Sequence, residues 1–205
     1  MRRGSGPQPL NTFDPTGDDI PLHSARAWAE STLRLVEAAR LSRERLLQTR
    51  EAMPSDWDEV TYPPLQHAFR ETWTTECVLV LSASQLERWI ARLYRDRNRR
   101  PPEPLTALKY LRNAIEHADE AEFDEDRFVA LPRTPRSVGQ GIGRLPGGEF
   151  SFAADGVALF GVIDPAELER IAQALIAELT NEADEWVKDI TEWAQRFLNR
   201  TPSTP

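Results

Sequence analysis

The chain has 205 residues, a formal net charge of −8 and a single cysteine. That length closes one hydrophobic core without a metal or disulfide to hold it, and one cysteine excludes an internal bridge. The acidic balance argues against bulk coating of nucleic acid, although a local basic groove remains compatible with it because a ligand meets local potential. No stretch approaches the roughly 20 consecutive apolar residues of a membrane span, and Arg2 and Arg3 are followed by no apolar leader core, so the sequence predicts a cytoplasmic protein with no membrane partner.

Residues 1 to 20 mix Pro, Gly, Asp and Thr without periodicity and read as a flexible tail, as do Thr201 to Pro205. Between them, 21 to 200 reads as a single helical domain. A first helix is predicted from about Pro21 to Ala52, with Ala25, Trp28, Thr32, Leu35, Ala39, Ser42 and Leu46 recurring at steps of three and four. A second, about Leu65 to Asp96, is apolar almost all round at its middle, which suits a central helix covered on several sides. It contains the run Cys77-Val78-Leu79-Val80-Leu81, where a reduced, buried thiol is expected. Pro101, Pro102 and Pro104 are expected to stop this helix.

Leu108, Leu111, Ile115 and Ala118 form the core stripe of a short third helix, about Leu105 to Glu120. Asp164-Pro165-Ala166-Glu167 then supplies an N-cap, a first-turn proline and a capping-box glutamate for a fourth. Its apolar face, from Leu168 and Ile171 to Trp186, Ile190, Trp193 and Phe197, holds for about nine turns. The aromatic end of that stripe is expected to pack as core on the first helix, with a second subunit as the other candidate. Four such helices with mostly short connections predict an all-α, up-and-down four-helix bundle.

The segment between helices three and four, about 121 to 163, breaks the pattern. Arg133 to Gly148 is too rich in Gly and Pro to be helical. Glu149 to Phe152 alternates, Asp155-Gly156 is a turn signal and Val157 to Ile163 is β-prone, so a small inserted β-hairpin is predicted there. Gly139, Gly141 and Gly143 do not make a phosphate loop, because no lysine follows and no parallel strand precedes. Charge is segregated: Arg95, Arg97, Arg99 and Arg100 crowd one segment, and Glu116 to Asp126 carries seven acidic residues. Both blocks read first as solvated surface.

Chemically, the sequence excludes more than it offers. His23, His67 and His117 lie far apart with no metal-ligand spacing, no G-x-S-x-G elbow occurs, and Asp124 and Asp126 lack the glycine and distal glutamate of a calcium loop. No metal or other cofactor is expected. The one pointed feature is on helix three, where Tyr110, Asn113 and His117 fall opposite the core stripe. Arg112 and His117 are about 140° apart on an ideal helix, so a common ligand requires distortion of the last turn or a symmetric second subunit. Arg112 and Glu116 are also placed for an ordinary i,i+4 ion pair, and His117 for the helix dipole.

Arg112-Asn113-Ala114-Ile115-Glu116-His117 resembles the R-x4-6-H motif of the HEPN superfamily (higher eukaryotes and prokaryotes nucleotide-binding domains), including the polar residue that often follows its arginine. The resemblance covers the motif and the coarse helical layout. It implies a helical bundle acting as a homodimer, with the motifs of both chains lining a cleft, and it implies Arg112, Asn113 and His117 as the catalytic residues of a metal-independent endoribonuclease. Such enzymes work in toxin-antitoxin, phage-defence and RNA-processing systems, so RNA and an antitoxin-like protein are the implied partners. The excess of arginine over lysine, 23 to 2, is the usage of a GC-rich bacterial genome. The alternative is a catalytically inactive helical dimer serving as a protein-interaction or nucleotide-binding module. The seven carboxylates close to His117 repel an RNA backbone unless folded away from the cleft, which leaves a ribonuclease restrained by a partner, this inactive module, or a bundle with no relation to the family.

Overall fold

The computed structural model describes residues 19–124, 127–129, 141–153 and 155–198. Residues 1–18 of the N-terminal tail, the C-terminal tail and half of the Pro- and Gly-rich stretch lie outside them, while Asp19 and Ile20, read from the sequence as tail, begin the first helix. Four long or medium α-helices stand among the described residues: α1 (Ile20–Glu51), α2 (Pro63–Asp96), α3 (Thr106–Glu116) and α4 (Pro165–Leu198). A small antiparallel β-element stands between α3 and α4, as the sequence predicts. No helix among the described residues is long and apolar enough to cross a membrane.

The α1–α2 pair is the spine. Asp19 caps α1 by accepting the Leu22 N–H at 3.1 Å. The face of α1 that the spacing predicts is the one buried, through Ala25, Thr32, Ala39, Ser42 and Leu46. Small side chains let the helices approach closely, and three of the hydroxyls they bury bond across the seam, while Ser42 Oγ turns back to the Ala39 carbonyl and Ser84 Oγ has no hydrogen-bond partner among the described residues. Thr32 Oγ1 meets Ser82 Oγ at 3.1 Å, and Thr72 Oγ1 donates to the Ser42 carbonyl at 3.1 Å. Satisfying each other removes the desolvation penalty these groups would otherwise impose.

At one end of the spine, α4 closes the bundle with Leu175 and Leu179 against Leu22, Leu86, Ile90 and Leu93. Asp164 caps α4, its Oδ1 accepting the Ala166 N–H at 2.9 Å. The end of α2 is lashed to α4 through acidic side chains. Arg97 meets Glu182 at 2.5 Å, Arg99 meets Glu182 at 2.7 Å and Glu178 at 3.1 Å, and Tyr94 donates to Glu178 at 2.5 Å. Half of the arginine block is thus an interhelix tie. The stop of α2 is Asn98 rather than the prolines: it takes φ 55°, and the Arg99 N–H returns to the Tyr94 carbonyl at 2.8 Å, a left-handed asparagine closing the last turn.

At the other end, α3 and the insert take the place of a full-length fourth helix. Leu108, Leu111, Ala114, Ile142, Phe150, Leu159 and Phe160 bury themselves against Leu79 and Val80 of α2. The strands are β1 (Glu122–Asp124), β2 (Arg127–Val129) and β3 (Glu149–Ser151), in that order. This corrects the predicted pairing. Glu149–Ser151 is a strand, but its partner is Arg127–Val129, with Phe128 opposite Phe150, and segment 157–163 contributes only the bridge of Leu159 with Ile163.

Two interactions explain the change. Phe128 stacks on Phe150 at 4.6 Å and on Trp73 of α2 at 5.5 Å, a cross-strand pair continued into the helix layer. Arg43 of α1 meanwhile donates to the carbonyls of Gly156 and Ala158, occupying acceptors a hairpin ladder at 157 would use. The same guanidinium pairs with Glu76 of α2, whose side chain is 0% exposed. Burial pushes the Glu76 carboxyl above the usual carboxylate range, and Arg43 only partly opposes it.

A further correction concerns α4. Its buried face ends at Leu179, and beyond it Ile190 is 47% and Trp193 64% exposed. Trp186 is partly buried, and the side chain of Phe197 lies outside the described residues. Among the described residues the aromatic end of the helix is therefore not packed as core on α1 or α2, which end before they can cover it.

Replacing Arg43 by Ala leaves Glu76 buried without its cation, and urea denaturation at pH 7 should show a loss of about 3–5 kcal/mol. A carboxylate whose folded pKa is raised favours the folded state less as pH climbs from the ordinary carboxylate range through that raised value. Removing the cation raises it further, so the variant should recover part of its stability when the measurement is repeated at lower pH. Glu76→Gln should abolish that recovery.

Candidate functional site

The R-x4-6-H segment sits on the last turn of α3, and α2 sets where that helix begins. The Leu105 N–H at its start donates to the Glu87 carboxylate at 2.6 Å, a cap supplied from a neighbouring helix in place of a local one. Burial raises Glu87 from its usual range, and the Leu105 hydrogen bond opposes this. Leu108, Leu111 and Ala114 then face α2 with essentially no exposure.

The helix ends earlier than predicted, at Glu116. His117 leaves helical geometry, with φ −120° and ψ 21°, and a 3-10 turn over Ala118–Glu120 follows. Distortion of the last turn, one of the two ways of relating Arg112 to His117, is present in the backbone. Arg112 itself is held locally. Its side chain is 18% exposed, Nε and Nη2 donate to Asn113 Oδ1 at 3.2 and 2.6 Å, and Nε lies 3.3 Å from Glu116 Oε2. The ordinary i,i+4 pair is therefore formed, and Asn113 serves as the acceptor that orients the guanidinium. An incoming anion would have to compete with Glu116 for this cation.

The face of Tyr110, Asn113 and His117 is less open than its helical angles suggest. Tyr110 is partly buried against the main core, which corrects its placement opposite the core stripe. Gly141, entering the insert's first 3-10 turn, lies directly on the backbone of Asn113 and Ala114. Among the described side chains of the acidic block, Glu116 contacts Arg112; those at 120 and 122–126 lie outside the described residues.

Other candidates fall away. No group of three metal-ligating side chains occurs among the described residues, and His23 and His67 stand at the starts of α1 and α2. Cys77 is half-buried, and burial beside Glu76 pushes its thiol up to about 11, which makes it a poor nucleophile. An open groove of about 580 Å³ lies elsewhere, between the start of α1 and the second half of α2, with Trp89 flanked by Arg88 and Arg92. The buried Arg43–Glu76 pair is the charged feature that sequence reading missed. Its one signal was a glutamate immediately preceding the apolar run of α2. Compared with known proteins, the chain matches no family model, no curated protein and no solved structure.

A Cβ added at Gly141 would stand 2.8 Å from the Ala114 nitrogen and 3.0 Å from the Asn113 carbonyl carbon. Both neighbours are backbone and have no rotamer to yield. Gly141→Ala should therefore lower stability by about 1–3 kcal/mol in a thermal or urea melt, as overpacking does. It should also shift the amide resonances of Asn113 and Ala114.

Proposed function

We propose that this chain is a metal-independent endoribonuclease of the HEPN type, with Arg112, Asn113 and His117 as its catalytic group. The observation that supports the reading best is the Arg112–Asn113 clamp at a broken helix end: a partly buried guanidinium is held in one orientation beside the point where the backbone turns away at His117. RNA carries its own nucleophile. Attack of the 2′-oxygen forms the new bond to phosphorus and breaks the bond to the 5′-oxygen. His117 takes the 2′-hydroxyl proton, the leaving 5′-oxygen acquires one, and Arg112 meets the charge that grows on the phosphoryl oxygens. In the family arrangement two copies meet across the Asn113 and His117 face, and an antitoxin-like protein restrains the activity.

A second reading is supported by Glu116, whose carboxylate already occupies part of the Arg112 guanidinium. An internally neutralised arginine suits a helical module that has lost its chemistry and keeps its contacts with protein partners.

The two readings part on one experiment. Purified protein in EDTA should cut single-stranded RNA and leave 2′,3′-cyclic phosphate ends. His117→Ala and Arg112→Ala should each lower the rate by roughly 10² to 10⁴, the usual worth of such groups, with little change in thermal melt. Glu116→Gln should raise RNA affinity, since it removes the competing carboxylate. Wild-type protein as inert as the His117 and Arg112 variants on diverse RNAs would overturn the ribonuclease reading, and dimerisation without cleavage would mark the second.

A further inference from the structure

The last four turns of α4 form an amphipathic helix outside the bundle. From Ala183 to Leu198 it extends about 24 Å past the Arg97–Glu182 tie. On a helical projection, Ala183, Trp186, Ile190 and Trp193 lie within about 80° of one another, joined along one edge by Val187 and Ala194. This is the seven-residue spacing of a two-helix seam. Val187, Ile190 and Trp193 are 55%, 47% and 64% exposed, which is unusual for a contiguous apolar stripe on a protein of this size.

Charge on the flanks of the stripe selects the occupant. One flank carries Asp189 and Arg196, seven apart in the position that faces its own symmetry mate when two such helices run antiparallel. With the dyad between Thr191 and Glu192, Asp189 of each copy lies opposite position 196 of the other, so two acid-base pairs form. The same register sets Ile190 against position 193, and Val187 against the small Ala194 on the other flank. Arg196 is 78% exposed and, among the described residues, pairs along its own helix with Glu192 at 3.1 Å, so it can swing across the seam at little cost. A parallel pairing leaves Asp189 and Arg196 about 10 Å apart along the axis and matches no charges across the seam.

We infer that α4 is a self-association element: two copies of the chain pair antiparallel through the Trp186–Ile190–Trp193 stripe beyond Glu182, in the register that joins Asp189 to Arg196 of the second copy. The contact is separate from any meeting of two copies across α3 and does not rest on the ribonuclease reading. It lies at the opposite end of the spine from the Arg112 segment, so this pairing leaves the two motifs apart.

Sedimentation velocity of the full chain over about 1 to 100 µM tests it. A concentration-dependent dimer is expected, with Ile190→Asp monomeric and its melting curve close to wild type, because the residue lies outside the bundle core. Arg196→Asp should weaken the dimer roughly three- to tenfold, the scale of two exposed ion pairs, and adding Asp189→Arg in the same chain should restore it. Three results would overturn the inference. They are a wild-type monomer across the range, an Ile190→Asp variant that still dimerises, and a charge swap without rescue. If the wild type is monomeric and removal of residues 1–18 makes it dimerise, the occupant of the stripe is the chain's own N-terminal segment.

Discussion

A carboxylate with no solvent exposure, in the middle of the most enclosed helix, has to be met by a cation, and Arg43 meets it. The guanidinium has further donors, and these reach the Gly156 and Ala158 carbonyls, so one side chain joins α1, α2 and the returning strap of the insert. Glu76 Oε2 is left without a hydrogen-bond partner in the described structure. That arrangement is expensive in desolvation and weak as a source of net stability, since an apolar replacement of the same shape often does as well. What it supplies is specificity: the strap has one place to lie, and the aromatic layer of Trp73, Phe128, Phe150 and Phe160 packs above it.

The bundle is consequently asymmetric. At one end three long helices share an aliphatic core, closed by arginines of the α2 terminus on glutamates of α4. At the other, an eleven-residue helix and a three-stranded element do the work of a fourth helix. The Arg112 segment belongs to this second end, where backbone from the insert lies on α3. A site built there is positioned by two kinds of contact. Glu87 sets the start of the helix from α2, and Gly141 rests on its last turns. Mobility of the insert would be felt at Asn113 directly.

Arg112 illustrates how one local geometry serves two accounts. Its bond to Asn113 pre-orients a cation, which is what phosphate recognition requires, while its contact with Glu116 removes part of the charge that recognition would use. Glu116, half-exposed and 3.3 Å from the guanidinium, draws on the same charge that any anion would have to use.

The sequence by itself determined the helices and the faces they bury. The stripe from Ala25 to Leu46, the Asp164 cap and the first half of the α4 stripe were legible, because helical periodicity and capping are set by residues three or four positions apart. The candidate residues Arg112, Asn113 and His117 stood out only through the resemblance of their spacing to the R-x4-6-H motif, since residues five apart do not share a helix face. The left-handed Asn98 that ends α2 was a local signal too, overlooked beside the prolines. Tertiary structure alone decided where strand 149–151 finds its partner, that Tyr110 turns toward the core, and that the aromatic end of α4 passes beyond its described neighbours. Each of these depends on a group distant in the chain: the Phe128 ring, the insert packed on α3, and the finite length of α1 and α2. A carbonyl taken by Arg43 cannot join a β-ladder, and nothing within ten residues of Gly156 announces that Arg43 will take it.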